Sequence, residues 1–173
     1  MLLNLVEHLK SRYLNIELHR PVLDEENCVA TFYLYNLSGQ LVGFQQYRPT
    51  ANKKPSNNPR ESKYFTFNKA GVAVFGVESL HLTPHVVFVT EGVFDAARLT
   101  SRGVSAVAVL SNNPSQDVRN FLHSLGRLIV AVCDNDPAGR KLARVGNVAV
   151  FTEDKDLGDS SDEFVDSLVK RFV

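Results

Sequence analysis

Two short apolar runs govern what this chain can become. Val86-Val87-Phe88-Val89 breaks at once into Thr90-Glu91-Gly92-Val93-Phe94-Asp95-Ala96, and Leu128-Ile129-Val130-Ala131-Val132 breaks into Cys133-Asp134-Asn135-Asp136-Pro137-Ala138-Gly139. Both runs are rich in β-branched residues and bounded by breakers, the signature of a strand buried on both faces, as in a parallel sheet. Both end in carboxylates. Ligands of open α/β sheets bind in the crevice beyond the carboxyl ends of the strands. Glu91, Asp134 and Asp136 therefore stand where a divalent cation and a phosphate can meet.

The residues around these runs alternate strand and helix. After β-prone Val86–Thr90 a helix is expected over Val93–Ser101, with Gly103 suited to its left-handed cap. A strand over Ser105–Leu110 follows. Ser111-Asn112-Asn113-Pro114 then starts a helix running to Leu125 with Pro in its first turn, on an apolar face of Val118, Phe121, Leu122 and Leu125. Next come a strand over Arg127–Val132, a short helix from Pro137 to Val145 and a strand over Asn147–Phe151, with Phe164, Leu168 and Val169 marking a closing helix. Right-handed crossovers make this an α/β unit, a parallel sheet with helices on both faces.

Residues 1–82 read differently. Leu2, Leu5, Val6, Leu9 and Tyr13 recur at helical spacing and predict a packing helix over 2–13. Val29–Tyr35 and Gln40–Tyr47, separated by Asn36-Leu37-Ser38-Gly39, predict an antiparallel hairpin, and Lys63–Phe67 a further strand. The chain as a whole is neutral, with 19 basic and 19 acidic residues, so any affinity for nucleic acid must be local. One stretch is locally basic: Arg48, Lys53, Lys54, Arg60, Lys63 and Lys69 face a single acid, Glu61, with Tyr47, Tyr64, Phe65 and Phe67 interleaved. Cations among aromatics suit a single-stranded or hybrid nucleic acid; on charge alone, a solvated loop is the simpler account. Cys28 and Cys133 lack zinc spacing and fit a reducing compartment. No apolar run reaches membrane-spanning length and the first residues do not read as a signal peptide, so no membrane is expected and the cytoplasm is the default.

The acidic turns have a chemical logic. Glu91 leaves a strand end, Gly92 lets backbone approach a ligand, and Asp95 can cap free amides of the helix it begins. If Asp134-Asn135-Asp136 stays extended, both carboxylates project from one side, a good ligand pair for Mg²⁺ or Mn²⁺; Gly139 again permits close approach. Val89-Thr90-Glu91-Gly92-Val93-Phe94-Asp95-Ala96 and Asp134-Asn135-Asp136-Pro137-Ala138-Gly139-Arg140, in this order, resemble the Toprim domain shared by bacterial-type primases, topoisomerases, recombination proteins and several nucleases. The resemblance covers Pro84 to Val173. Leu37–Phe44, Lys63–Phe67, Lys69-Ala70-Gly71 and Val74-Phe75-Gly76 look like the basic lobe that precedes Toprim in bacterial or phage-type primases.

The resemblance implies a small α+β basic lobe over 1–82 and a Toprim-like (Rossmann-like) domain over 83–173. It implies a metal-dependent primase that joins ribonucleotides on a single-stranded DNA template. Glu91, Asp134 and Asp136 would be catalytic and metal-binding, Asp156 in the segment Asp154–Asp159 a further ligand, and Mg²⁺ or Mn²⁺ the cofactor. Arg48, Lys54, Lys63 and Lys69 would hold nucleotides or template, which turns the basic stretch from solvated loop to binding surface. The sequence shows neither the zinc-binding module nor the helicase region of such primases, so a replicative helicase or a separate zinc-binding chain is an implied partner. By analogy a compact primase of this kind suits a phage, and hence a host cytoplasm. Two other readings stand beside it: a Toprim nuclease using the same carboxylates with water as nucleophile, and a non-catalytic module that binds nucleic acid or docks on a helicase.

Overall fold

A computed structural model of the chain describes residues 2–53, 57–153 and 156–173. The first helix, α1 (Leu5–Ser11), is shorter than the apolar spacing predicts. Asn4 starts it, its side-chain oxygen accepting the Glu7 N–H at 3.0 Å. Leu5 and Leu9 are fully buried, while Leu2 lies outside the helix and in solvent. A single turn, α2 (Ile16–His19), and a short strand, β1 (Val22–Asp24), follow; both are too short to leave a periodic trace. The hairpin forms as expected from β2 (Val29–Tyr35) and β3 (Leu41–Tyr47). Its turn is closed by the Asn36 carboxamide oxygen, which accepts from Ser38 and Gln40, and by Gly39 at φ 71°. With β4 (Tyr64–Asn68) these strands form an antiparallel sheet in the order β1-β2-β3-β4. Burial alternates along it. Ala30, Phe32, Leu34, Gln45 and Tyr47 face inward, while Tyr33, Phe44, Gln46 and Phe65 face outward and are only part-buried.

The second sheet is parallel throughout, as the continuous apolar runs require. Its strands are β5 (Val86–Thr90), β6 (Ala106–Ala108), β7 (Leu128–Cys133) and β8 (Val148–Phe151), in the order β6-β5-β7-β8. Between and after them lie α3 (Val93–Thr100), α4 (Gln116–Ser124), α5 (Pro137–Leu142) and α6 (Asp162–Phe172). Every residue of β5 and β6 is buried. Phe88, Ala106, Val130 and Val132 pack with α3, α6 and the antiparallel sheet. Val87, Val89, Val107, Ile129 and Ala131 pack with α4 and α5 on the other side. Helices thus cover both faces. Gly103 takes φ 77° after α3, as expected. The helix expected from Pro114 starts two residues later, because Ser115 is the cap that accepts the Val118 N–H. Pro137 does begin α5, and the helix tightens into a 3₁₀ turn at Ala143–Val145.

The two sheets are stitched by Val74 and Phe75. Val74 exchanges both backbone hydrogen bonds with Tyr35 at the end of β2, and Phe75 exchanges both with Ala108 at the end of β6. A single core runs through the seam, from Leu5, Leu9, Phe32 and Tyr47 to Phe75, Phe88, Phe94 and Leu168. A buried polar clamp reinforces it: His19 Nδ1 meets Glu78 Oε1 at 2.6 Å and His19 Nε2 meets Thr100 Oγ1 at 2.9 Å. At the far side Arg98, almost wholly buried, donates to the Ser160 carbonyl and to Asp162 and lies 3.7 Å from the Tyr13 ring centroid, fixing α6 against α3.

Candidate functional site

The parallel strands deliver their carboxylates to one rim, against the inward face of the antiparallel sheet. There a cleft of about 280 Å³ is lined by Glu91, Asp95, Asp134 and Asp156, with Arg12, Gln45 and Tyr64 closing it from the other lobe. Glu91 follows β5 directly. Its carbonyl accepts the N–H of Leu110 at 2.8 Å, and Leu110, also in the cleft wall, holds a positive φ of 59°. A branched side chain in the left-handed region is strained, and such strain concentrates where a site is held in shape by its surroundings.

The DxD-like segment does not stay extended. The Asp136 N–H turns back onto the Asp134 carbonyl at 2.9 Å. Asp134 consequently faces the cleft, while Asp136 becomes the N-cap of α5, one oxygen accepting the Gly139 N–H at 2.6 Å. Asp136 is absent from the cleft wall, yet it is near enough to raise both Glu91 and Asp134 electrostatically. Asp95 does not cap α3, whose N-cap is Gly92 without any side-chain bond. Asp95 instead accepts the N–H of Gly158 at 2.8 Å, tying α3 to the acidic segment near the C-terminus. Asp156 caps the turn Leu157–Asp159 through the Asp159 N–H at 3.0 Å and still lines the cleft. Gly139 also serves another purpose than ligand approach: a Cβ there would lie 1.8 Å from the Asp134 carbonyl oxygen, so its close neighbour is the chain itself.

Gathering these acids has an electrostatic cost. Burial, then Asp134 and Asp136, push the Glu91 carboxyl above its ordinary range. Burial, then Asp156 and Asp136, do the same to Asp134. Asp95 is pushed up to about 7, by burial first and then Asp156, with the Gly158 N–H and Arg12 opposing. Arg12 is the cation facing them. It comes from the end of α1, lies 4.1 Å from the Phe94 ring centroid and stands close enough to the Tyr47 and Tyr64 hydroxyls to act on them electrostatically. The Tyr64 ring is 45% exposed, but its hydroxyl end is tucked into the cleft. Burial there, with Tyr47 beside it, pushes that hydroxyl up to about 12. Cys133, behind Asp134, is fully buried and its thiol is likewise pushed up to about 12, so it behaves as a small apolar residue.

The basic candidates divide. Arg48 and Lys63 face each other beyond the Tyr47–Tyr64 pair, the Arg48 N–H bonding the Lys63 carbonyl. Arg48 Nη2 donates to Gln46 Oε1 at 3.1 Å, and Lys63 Nζ to the Pro49 carbonyl at 3.0 Å. Lys69, exposed, pairs with Val42 at the other end of β4. Lys54 lies outside the described residues. Sequence patterning had no signal for Arg12: it sits in an amphipathic helix like any solvated arginine, and only the packing of α1 between the sheets brings it to the acids. Gln45 and Leu110 were silent for the same reason.

A hard divalent cation suits this donor set. The donors are carboxylate oxygens, the neighbouring charges raise the proton affinity of Glu91 and Asp134, and among the described residues none of Glu91, Asp134, Asp136 or Asp156 is in an ion pair. No three His, Cys, Asp or Glu side chains among the described residues already form a closed cage.

Comparison with known proteins agrees with this architecture. Residues 88–155 match the Toprim-like family, a stretch that holds most of the parallel sheet together with Glu91 and Asp134. No curated protein matches in sequence. Among solved structures, the zinc-binding and RNA polymerase domains of the Aquifex aeolicus primase superpose with a TM-score of 0.71 at 19% identity, over 96% of this chain and 54% of that one. The RNA polymerase domain of Mycobacterium tuberculosis primase DnaG, solved with double-stranded DNA, gives 0.64 at 20% identity, over 96% and 60%. The primase fragment of the bacteriophage T7 primase-helicase gives 0.63 at 15% identity, over 91% and 68%. The fold, antiparallel lobe included, is therefore that of primase catalytic cores, and the chain spans a little over half the length of the first two. No helix among the described residues is long and apolar enough to cross a membrane.

Proposed function

We propose that this Toprim-bearing chain is a primase-like nucleotidyltransferase, making short RNA primers on single-stranded DNA and releasing pyrophosphate. The observation that carries the reading is the meeting of Glu91, Asp134, Asp156 and Arg12 in one cleft, between the two sheets of a fold shared with primase cores. Asp134 and Asp156 are the candidate ligands of Mg²⁺ or Mn²⁺, with Asp136 holding the turn and adding negative field. Such an ion, when bound, supplies charge neutralisation at the phosphoryl oxygens. Glu91 accepts the proton of the attacking 3′-hydroxyl. Arg12, lying over the Phe94 ring in the cleft wall, offers its guanidinium to the triphosphate. Arg48, Lys63 and Lys69, with Lys54, bind template or nucleotide phosphates. A replicative helicase or a zinc-binding chain is the fitting partner.

The test is incubation with single-stranded DNA, four ribonucleotides and Mg²⁺ or Mn²⁺, read for new oligonucleotides and for cut template. Primer synthesis is expected. Asp134→Ala should lower it by about a thousandfold or more with an unchanged circular dichroism spectrum. Template cut without nucleotides would replace this reading with the nuclease. Binding without turnover, insensitive to Asp134→Ala, would replace it with the non-catalytic module.

A further inference from the structure

The cleft has two unlike walls. One carries the carboxylates of Glu91, Asp95, Asp134 and Asp156. The other is the end of the antiparallel sheet, and its composition follows from register. Strand alternation puts Gly43, Gln45 and Tyr47 of β3 and Tyr64, Thr66 and Asn68 of β4 on the inward face, paired Gly43 with Asn68, Gln45 with Thr66 and Tyr47 with Tyr64. Tyr47 belongs to the core. Beyond it, at Gly43, Gln45, Thr66 and Asn68, the inward face carries neither a large apolar side chain nor a charge. Gln45 lines the cleft and is only 8% exposed, although it is polar. Its carboxamide nitrogen donates to Thr66 Oγ1 at 2.9 Å, which fixes the group, and its Oε1 accepts from nothing among the described residues. Tyr64 brings to the same cleft a hydroxyl that holds its proton tightly, so it meets a ligand as a neutral donor.

A charged wall facing a neutral polar one matches two adjoining parts of a nucleoside triphosphate. The phosphates belong with Arg12 and the carboxylates. The sugar, one methylene away, offers hydroxyls, and the base lies beyond it. We propose that Gln45 and Tyr64 are specificity-determining residues, Gln45 Oε1 accepting a hydrogen bond from the 2′-hydroxyl of the incoming nucleotide and the Tyr64 hydroxyl donating one to the same oxygen. A hydroxyl is satisfied by one acceptor and one donor, and this wall supplies one of each from two strands held in register. A 2′-deoxynucleotide leaves both groups without a partner in a site partly shielded from water, and is penalised for it. The assignment rests on the proposed function for the nucleotide itself, and adds the groups that tell ribose from deoxyribose.

The test is titration calorimetry of the whole chain in Ca²⁺, without template, using ATP, CTP, 2′-deoxy-ATP and 3′-deoxy-ATP. Binding of 2′-deoxy-ATP should be weaker than that of ATP by about 10-fold or more, with CTP and 3′-deoxy-ATP close to ATP. Tyr64→Phe should weaken ATP by about 5-fold and leave 2′-deoxy-ATP where it was. Gln45→Met, which keeps the length of the side chain, should do the same. In primer synthesis both variants should raise the share of 2′-deoxy-ATP used when it competes with ATP. Equal binding of ATP and 2′-deoxy-ATP, a preference left intact by Tyr64→Phe, selection by base instead of sugar, or no nucleotide bound at all would each overturn the assignment. Primer synthesis, measured separately, can survive any of these. A chain that discriminates between the sugars but makes no primers would sink the catalytic reading alone.

Discussion

The two sheets are built from similar residues and do opposite things with them. The parallel sheet is apolar along its strands, and β5, β6 and β7 are covered on both sides; its carboxylates gather at one rim. The antiparallel sheet alternates, covers one side, and shows the other as a surface. Burial on two faces leaves charge nowhere to go except a strand end, which is why the acids cluster and repel. Burial on one face leaves room for a spread of aromatics and cations.

That contrast can be tested by matched substitutions. The largest effect is expected at the rim. Gly139→Ala forces a Cβ against the Asp134 carbonyl oxygen and should cost about 4 kcal/mol or more, read as a Tm drop of roughly 8 °C or more. Its partner Gly39→Ala, in the hairpin turn with φ 71° and nothing within 4 Å, meets only the left-handed backbone and should cost about 1 kcal/mol. Similar costs for the two would break the contrast.

Next come the strand interiors. Ile129→Ala, fully buried within the parallel sheet, should cost about 3 kcal/mol in urea melts through the cavity it leaves. Phe67→Ala, on the open face, should cost about 1 kcal/mol or less although it removes more atoms. If Phe67→Ala proved the more damaging, the outward face would be a core rather than a surface.

The smallest effect concerns the acids themselves. Asp95 has its pKa raised to about 7 from an ordinary 3.8. The folded chain therefore holds this proton where the unfolded chain has released it. Stability from this group is complete below about pH 4, falls as pH rises toward about 7, and is level above. In EDTA, Asp95→Asn should remove that fall and so raise the Tm at pH 8 above that of the original chain, while keeping an oxygen for the Gly158 N–H. Added Mg²⁺ should then raise the Tm of the original chain. A thermal melt of Asp95→Asn that parallels the original across pH 4–8 would contradict the placing of this carboxyl.

How much was legible follows from the same physics. Val86–Thr90 and the strands and helices after it could be read almost residue by residue, because a strand buried on two faces has no polar side to blur its pattern. The acids could be read because charge beside such a run has few other reasons to exist. α2 and β1 were not legible, being shorter than any period. Nor were the jobs of Asp95 and Asp136, because capping and site-building use the same residue types and only long-range contacts, such as Asp95 with Gly158, separate them. Arg12 could not be found at all: its role depends on where α1 docks. The aromatics of the basic stretch were visible, but the division that sends Tyr47 and Tyr64 to the cleft and Phe65 and Phe67 to the open face is a fact of register.

The seam at Val74 and Phe75 bears on how such a protein can change over time. Two consecutive residues there each make one isolated antiparallel bridge, Val74 to the first sheet and Phe75 to the second. Exchange of one lobe for a relative's would have to carry this dipeptide along and meet Tyr35 and Ala108 at matching heights. Insertions are tolerated far more readily in the hairpin tip at Asn36–Gln40 or in the segment before Tyr64. Variation in lineages that share this architecture should therefore accumulate at those loops and spare the selvage that joins them.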